Sequence, residues 1–301
     1  MAPVFSIIIP LFNREGSIRA CLASATSQTI SNIEIIVIDD GSTDNSASIV
    51  KSLTDSRVAY HYQSNAGGAA ARNKGIGLAR GAYIAFLDSD DVFLQAHLEK
   101  ALPFLSGEST CYFSKVRVNR GSGVFFDKPS RGPGADEDLS EYLFCAGGFI
   151  PTITLIVPSV LAKATLYTDS LKYGQDKDFA LRLAKNGAFF VFHNIVTAIW
   201  NDLPSHGRVS GKIDPYDRLS WLDRSRDCLT DRAYYSDLGW SVAKAFSTGG
   251  MKLKAMQHYS SALIRRCYGP KLAIIIFMQI VLPPNLYRIM SDFMARLGLR
   301  P

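Results

Sequence analysis

No two of the five cysteines in this 301-residue chain (Cys21, Cys111, Cys145, Cys228 and Cys267) stand at C-x-x-C spacing, and their number is odd. Neither a disulfide framework nor a zinc site is implied, and a reducing compartment is the simpler reading. No basic stretch precedes the apolar run that opens at Val4, and no cleavage-site pattern follows it; a secretory signal is therefore not expected. The chain also lacks the ~20 consecutive apolar residues that a bilayer-spanning helix takes. Internal repeats and low-complexity tracts are missing as well, which argues against repeat architectures. What remains is a cytoplasmic protein of one large domain, or one domain with an extension. A hydrophobic fraction of 47% and a charged fraction of 20% suit a sizeable core.

The net charge of +6 is unevenly placed. Residues 1–215 carry 20 Lys/Arg against 21 Asp/Glu, whereas residues 216–301 carry 13 against 6. An excess confined to the tail points to an anionic partner there. Nucleic acid is not expected, because aromatic and basic residues are not interleaved as a stacking platform requires. Lys271 is followed by the apolar run Leu272–Leu282, broken only by Gln279, and then by Pro283-Pro284. Residues 244–301 hold nine Lys/Arg and one acid. Such a tail reads as a monotopic contact with an anionic membrane, peripheral on its inner face, or equally as a helix folded back on the core.

Short β-branched and aromatic runs alternate with helical patterns. Strands are expected at Val4–Ile9, Ile33–Ile38, Val58–Tyr62 and Tyr83–Leu87, with helices near Ser17–Ser27, Asp44–Leu53 and Ala69–Ala79. Continuous apolar strands belong to parallel sheets covered on both faces, so the fold class is α/β, built from right-handed βαβ units. Further on, Gln95–Leu105 and Gln175–Lys185 read as helices, while Thr110–Val118, Ile153–Val157 and Phe189–His193 read as strands. Gly121–Asp138 reads as a loop, and from about Tyr216 only helices are expected.

In open α/β sheets, ligands bind beyond the carboxyl ends of the strands, and polar clusters stand there. Asp88-Ser89-Asp90 follows the fourth strand; two carboxylates at i and i+2 can reach one hard divalent cation, although a solvated acidic turn has the same appearance. Asp39-Asp40-Gly41-Ser42 follows the second strand. One of its carboxylates can accept from a base N–H while Ser42 or Thr43 caps the next helix. In Asn65-Ala66-Gly67-Gly68-Ala69-Ala70-Ala71-Arg72-Asn73, small residues allow close backbone approach and Arg72 can pair with phosphate or simply face solvent.

These segments, with Ile8-Ile9-Pro10-Leu11-Phe12-Asn13-Arg14, resemble in order and spacing the family 2 inverting glycosyltransferases with the GT-A fold. The resemblance covers residues 4–91 and implies a mostly parallel central sheet flanked by helices, with a helical C-terminal extension. It divides the chain into a transferase domain over 1–215, with a nucleotide-binding half (1–95) and an acceptor half (96–215), and a basic extension over 216–301. It implies that Pro10 and Phe12 border the nucleotide base and that Asp39 binds its N–H. Arg72 would hold the nucleotide, Asp88 would contact the ribose, and Asp90 would ligate Mn²⁺ or Mg²⁺; Asn13 and Ser89 belong to the same nucleotide-binding blocks. The family usually has Tyr where Phe12 stands, and an aromatic face survives the change.

The segment Tyr173–Leu183 is similar to the family's acidic pair at a helix start, which makes Asp176 the general base. Gln175 stands where Glu is common. The bland alternative has Asp176 favouring the helix dipole and Asp178 pairing with Arg182 at i,i+4. His206-Gly207-Arg208 resembles a loop closing over the diphosphate, with His206 as a further metal ligand and Arg208 as a phosphate clamp. The donor implied is a nucleotide-sugar, by resemblance a UDP-sugar, and the acceptor is a glycan or lipid-linked acceptor. The Gln-x-x-Arg-Trp segment of processive relatives is missing, so one sugar per acceptor is expected. Gly75-Ile76-Gly77 precedes a strand instead of following one, which excludes a dinucleotide cradle. A phosphatase with Asp88 as nucleophile leaves the Asp39 block unexplained. The remaining alternative is a non-catalytic nucleotide-sugar-binding scaffold of the same fold.

Overall fold

The computed structural model of the chain describes residues 2–121, 123–203 and 214–296. Four apolar runs form the parallel half of one sheet: β1 (Phe5–Leu11), β2 (Ile33–Asp39), β3 (Val58–Tyr62) and β4 (Tyr83–Phe86). β1 and β2 are buried at nearly every position. Helices α1 (Ile18–Thr26), α2 (Ser46–Lys51) and α3 (Gly68–Leu78) make the connections. The strand order β3-β2-β1-β4 means that the chain travels outward to β3 and then crosses back to place β4 on the other side of β1. This reversal opens a crevice at the carboxyl ends of β1 and β4, where sheets of this kind bind ligands. α3 approaches β1 so closely that a Cβ on Gly75 would stand 2.5 Å from Ile8 Cγ2. Gly75 therefore serves helix–sheet packing.

Past β4 the sheet becomes mixed. β8 (Ile156–Pro158) pairs with β4, and β6 (Thr110–Asn119), β9 (Phe189–Asn201) and the short β5 (Val92–Phe93) follow across the sheet. The segment read as a loop over 121–138 contains a strand, β7 (Phe125–Lys128), because these residues pair one by one with Asn119 back to Val116. The pairs β4–β8, β8–β6, β6–β7 and β9–β5 are antiparallel, and β6 and β9 form a long parallel pair. The strand expected to stop at His193 runs to Asn201. An irregularity between Ser114 and Val116 of its partner lets pairing continue in a shifted register. The helix expected over Gln95–Leu105 is only α4 (His97–Ala101), followed by a 3₁₀ turn at Leu102–Phe104 that contains Pro103.

α5 (Leu139–Phe144), capped by the Asp138 side chain, and α6 (Ser159–Thr165) lead to α7 (Gln175–Lys185), which has the bounds expected. Among the described residues, every later element is helical: α8 (Pro215–Arg224), α9 (Asp231–Asp237), α10 (Ala243–Thr248), α11 (Lys252–Ile264), α12 (Pro270–Val281) and α13 (Pro284–Arg296). Helices α8 to α12 share the core of the sheet. One apolar cluster runs from Ile8 and Phe86 through Trp221 and Val242 to Ile276 and Ile280. Burying side chains of this size contributes roughly 1.5–3 kcal/mol each. A buried Arg218–Asp237 ion pair of 2.6 Å braces the same packing. α12 therefore does fold back on the core with its Ile276 and Ile280 face, and no helix of the described residues is long and apolar enough to cross a membrane.

Candidate functional site

β2 ends on Asp39, whose buried carboxylate accepts from Ser42 N–H at 2.8 Å and from the Tyr60 hydroxyl at 2.6 Å. Burial and this hydrogen bond push the Tyr60 hydroxyl well above its ordinary pKa. Each carboxylate oxygen has a second acceptor site, so Asp39 can still receive a ligand N–H. The expected cap by Ser42 or Thr43 is not formed. α2 starts later, after Asn45 and without a side-chain cap, because Asp39 draws the Ser42 N–H inward. Ser42 Oγ instead accepts from Asn13 N–H at 3.1 Å, and Asn13 Oδ1 accepts from Thr43 N–H at 2.8 Å. Asn13, at φ +50°, thus stitches the turn after β1 to the turn after β2. Between these ties Phe12 is 44% exposed, an aromatic ring on the rim of the crevice, while Pro10 lies partly buried within β1.

Asp40 has a different task from its neighbour. Its Oδ1 accepts from Gln63 Nε2 and Ala66 N–H, and its Oδ2 from Gly67 N–H, all at 2.8 Å. The segment so gathered leads into α3, which carries Arg72. From there Arg72 Nη2 reaches Asp88 Oδ1 at 2.5 Å and Nη1 reaches Gln175 Oε1 at 3.3 Å. The guanidinium also lies 5.5 Å from the centroid of Tyr167, which stacks on Phe179. Burial opposes the Arg72 charge, but Asp88, Tyr167 and Asp176 outweigh it and raise its pKa. Its buried Nε has no acceptor among the described residues, which leaves one donor for an anion.

The Asp88–Asp91 turn is pinned from two sides. Ser17 Oγ donates to Ser89 O at 3.0 Å; Asn201 N–H donates to Asp91 Oδ1 and Asn201 Nδ2 to Asp90 O, both at 2.7 Å. Ser89 is buried. The Asp90 side chain is 43% exposed and meets Arg14 Nε at 3.3 Å across the reversal between β1 and β4. Burial first, then the nearby Asp88 charge, hold the Asp90 carboxyl above its usual range. Two mutually repelling carboxylates are a fit donor set for a hard divalent cation, Mg²⁺ or Mn²⁺. Among the described residues no cluster of three or more His, Cys, Asp or Glu could hold one on protein ligands alone. Substrate and water oxygens would therefore complete its shell. His206 and Arg208 lie outside the described residues.

α7 begins after Gly174 at φ +72° with no side-chain cap. Gln175 is bound in place, its Nε2 donating to Leu171 O at 2.7 Å and its Oε1 accepting from Arg72. Asp176 is partly buried in the first turn and lies within electrostatic reach of Arg72 and Lys128. Asp178 is structural: it accepts from Arg182, four residues on, from Thr168, and from Trp221 Nε1 at 2.9 Å. The structure therefore brings Asp39, Arg72, Asp88, Asp90 and the start of α7 to one crevice. Sequence reasoning missed Arg14, Tyr60, Tyr167 and Asn201 as its supports. Arg14 follows directly on Pro10-Leu11-Phe12-Asn13 and so carried a local signal, whereas Asn201 reaches Asp91 from 110 residues away, with none.

The family described as Glycosyl transferase family 2 matches residues 6–155. The amylovoran biosynthesis glycosyltransferase AmsB of Erwinia amylovora is 30% identical over 263 residues, covering 83% of this chain and 87% of that protein. A glycosyltransferase of Rickettsia typhi is 30% identical over 226 residues, covering 72% and 70%. Among solved structures, S. aureus TarS 1–349 in complex with UDP-GlcNAc matches at a TM-score of 0.70 and 20% identity, over 98% of this chain and 92% of that one. A mannosyltransferase of Pyrobaculum calidifontis in complex with GDP-Man and Mn²⁺ matches at 0.57 and 16% identity, over 99% and 87%.

Proposed function

This chain belongs to glycosyl transferase family 2, has a GT-A-type fold and is a glycosyltransferase, and we propose that it moves a single sugar, with inversion, from a UDP-sugar to an acceptor hydroxyl in polysaccharide or glycoconjugate synthesis. The observation that carries this reading is the Arg72 guanidinium, which touches Asp88 on the donor side and Gln175 beside Asp176 on the other. Two relatives support it by their own descriptions, one in amylovoran synthesis and one in complex with UDP-GlcNAc.

In this reading residues 1–95 hold the nucleotide and residues 96–215 the acceptor. The base lies against Phe12 near Pro10, with its N–H on the free acceptor site of Asp39, and the ribose meets Asp88. Asn13 and Ser89 support the nucleotide by fixing the turns that carry these groups. A divalent cation held by Asp90, with His206 as a further ligand, would neutralise charge building on the departing diphosphate. Arg72 Nε, together with Arg208, binds the same anion. The Asp176 carboxylate takes the proton of the acceptor hydroxyl as that oxygen attacks the anomeric carbon from the opposite face. The leaving diphosphate needs no protonating acid.

The test is calorimetric titration of UDP and GDP into the full chain, with Mn²⁺ and with chelator, on wild type and Asp90→Ala. UDP binding should require Mn²⁺ and weaken at least tenfold in Asp90→Ala; absence of nucleotide binding under every condition sinks the donor site.

The tail adds a location. α12 exposes Ile274, Phe277 and Val281, and α13 exposes Leu286, Ile289 and Phe293. Both sets recur at i, i+3 and i+7, one face of each helix, within a strongly basic segment. The protein accordingly rests on the inner face of the cell membrane through this tail. Replacing Ile289 and Phe293 with Glu should abolish pelleting with vesicles containing phosphatidylglycerol, and undiminished pelleting would reject the contact.

A further inference from the structure

A cavity of about 1270 Å³ opens between β7, the turn Cys145–Phe149, Trp240 and the helices α12 and α13. It adjoins the start of α7: Lys177, the residue after Asp176, places its ammonium 5.4 Å from the Trp240 ring centroid, and Lys128 on the cavity wall lies within the field of Asp176. None of the nucleotide-binding residues named above lines it. The cavity thus lies apart from the donor residues and next to the start of α7.

Its charges are matched unequally. Arg117 pairs with Asp127, and Arg120 with Asp202 and Asp292. Lys128 and Lys271 have neither ion pair nor hydrogen-bond partner among the described residues. The Lys128 ammonium is held 4.1 Å from the ring centroids of both Phe149 and Trp200. Aromatic faces attract the charge but leave its three N–H donors without acceptors. Burial lowers its pKa to about 8, against the pull of Asp202 and Asp176, so the charge sits at a cost that a bound anion would remove. Phe126, Trp240, Tyr287 and Ile275 supply apolar wall beside the two ammonium groups.

We propose that this cavity holds a phosphate group of the acceptor on Lys128 and Lys271, with apolar wall for the chain or sugar attached to it. The inference rests on the transferase reading above and narrows its acceptor to a phosphate-bearing molecule. Two sources share that chemistry, a lipid-linked diphosphate and a soluble phosphorylated glycan. The helices that close the cavity also carry the exposed apolar stripes of the tail, which suits the first.

The probes are geranyl diphosphate and inorganic diphosphate, titrated into the full chain in chelator. Geranyl diphosphate should bind wild type and Arg72→Ala alike, about tenfold more weakly to Lys128→Gln, and several-fold more weakly to Lys271→Gln, whose exposed position leaves the fold intact. Tighter binding of geranyl than of inorganic diphosphate assigns the lipid-linked source, and equal binding assigns a soluble phosphate; both support the site if they depend on Lys128. Undiminished binding to both lysine variants, or loss in Arg72→Ala alone, overturns it. The outcome is separable from the donor reading. If UDP fails to bind while Lys128-dependent diphosphate binding persists, only the donor site falls.

Discussion

At the amino end of the parallel strands, Glu34 accepts from Ser6 Oγ at 2.6 Å, from Arg80 N–H at 2.7 Å and from Arg80 Nε at 2.8 Å, and Ser6 Oγ accepts from Gly81 N–H. At the carboxyl end of the same strands, Asp90 has one long contact to Arg14 and a like charge close by. Burial alone would raise both carboxyl groups. For Glu34 the hydrogen bonds from Ser6 and Arg80 outweigh it and hold the pKa low, whereas for Asp90 the charge of Asp88 adds to it. Residues of one chemical kind are thus saturated where they hold the sheet together and left unsaturated where a ligand is expected. Degree of saturation, more than residue type, separates scaffold from site.

Substitutions at the two ends should differ in kind. The largest effect belongs to Asp176→Asn, which should lower kcat about 10²–10⁴-fold, the range for loss of a general base, with UDP affinity and Tm unchanged. Unaltered turnover would remove Asp176 as the base, whereas nucleotide binding with no transfer by the wild type would favour the scaffold alternative. Next comes Glu34→Gln at the saturated end, expected to cost about 1–3 kcal/mol of stability by stranding buried donors while leaving UDP affinity alone. Its pH dependence has a definite sign. Because the folded pKa of Glu34 is depressed below 4.5, its contribution is present above that value and is lost as pH falls through the lower, folded pKa. Chemical denaturation at pH 7 and pH 3 should show the gap between variant and wild type closing. The smallest effect is Phe12→Ala, which should weaken UDP binding several-fold, about 1 kcal/mol for a lost stacking face, without changing Tm. Equal UDP affinity would remove Phe12 from the base site.

Much of the parallel half was legible because β1 and β2 are continuous apolar runs whose boundaries fall at polar turns, and the acidic clusters in those turns did converge. The roles of Asp39 and Asp40 were not legible as separate. Only the fold shows that one faces Tyr60 and the other gathers Gln63, Ala66 and Gly67. β7 was missed because Gly, Pro and charge dominate residues 121–138, while the pairing that makes a strand of Phe125–Lys128 comes from Val116–Asn119, a partner that local pattern cannot reveal. The ambiguity over the tail had a similar origin. α12 buries Ile276 and Ile280 and exposes Ile274, Phe277 and Val281, so packing on the core and facing outward are properties of different sides of one helix.

The clamp on Asp40 has a consequence for how this chain can change length. Two backbone N–H groups and one side-chain amide, all drawn from residues 63–67, converge on a single carboxylate anchored at the end of β2. One residue added or removed between Gln63 and Gly67 would pull at least one of those donors off its acceptor and rotate the start of α3, taking Arg72 away from Asp88. This stretch should therefore resist insertion and deletion even though much of it lies at the surface, and variation in loop length should accumulate elsewhere.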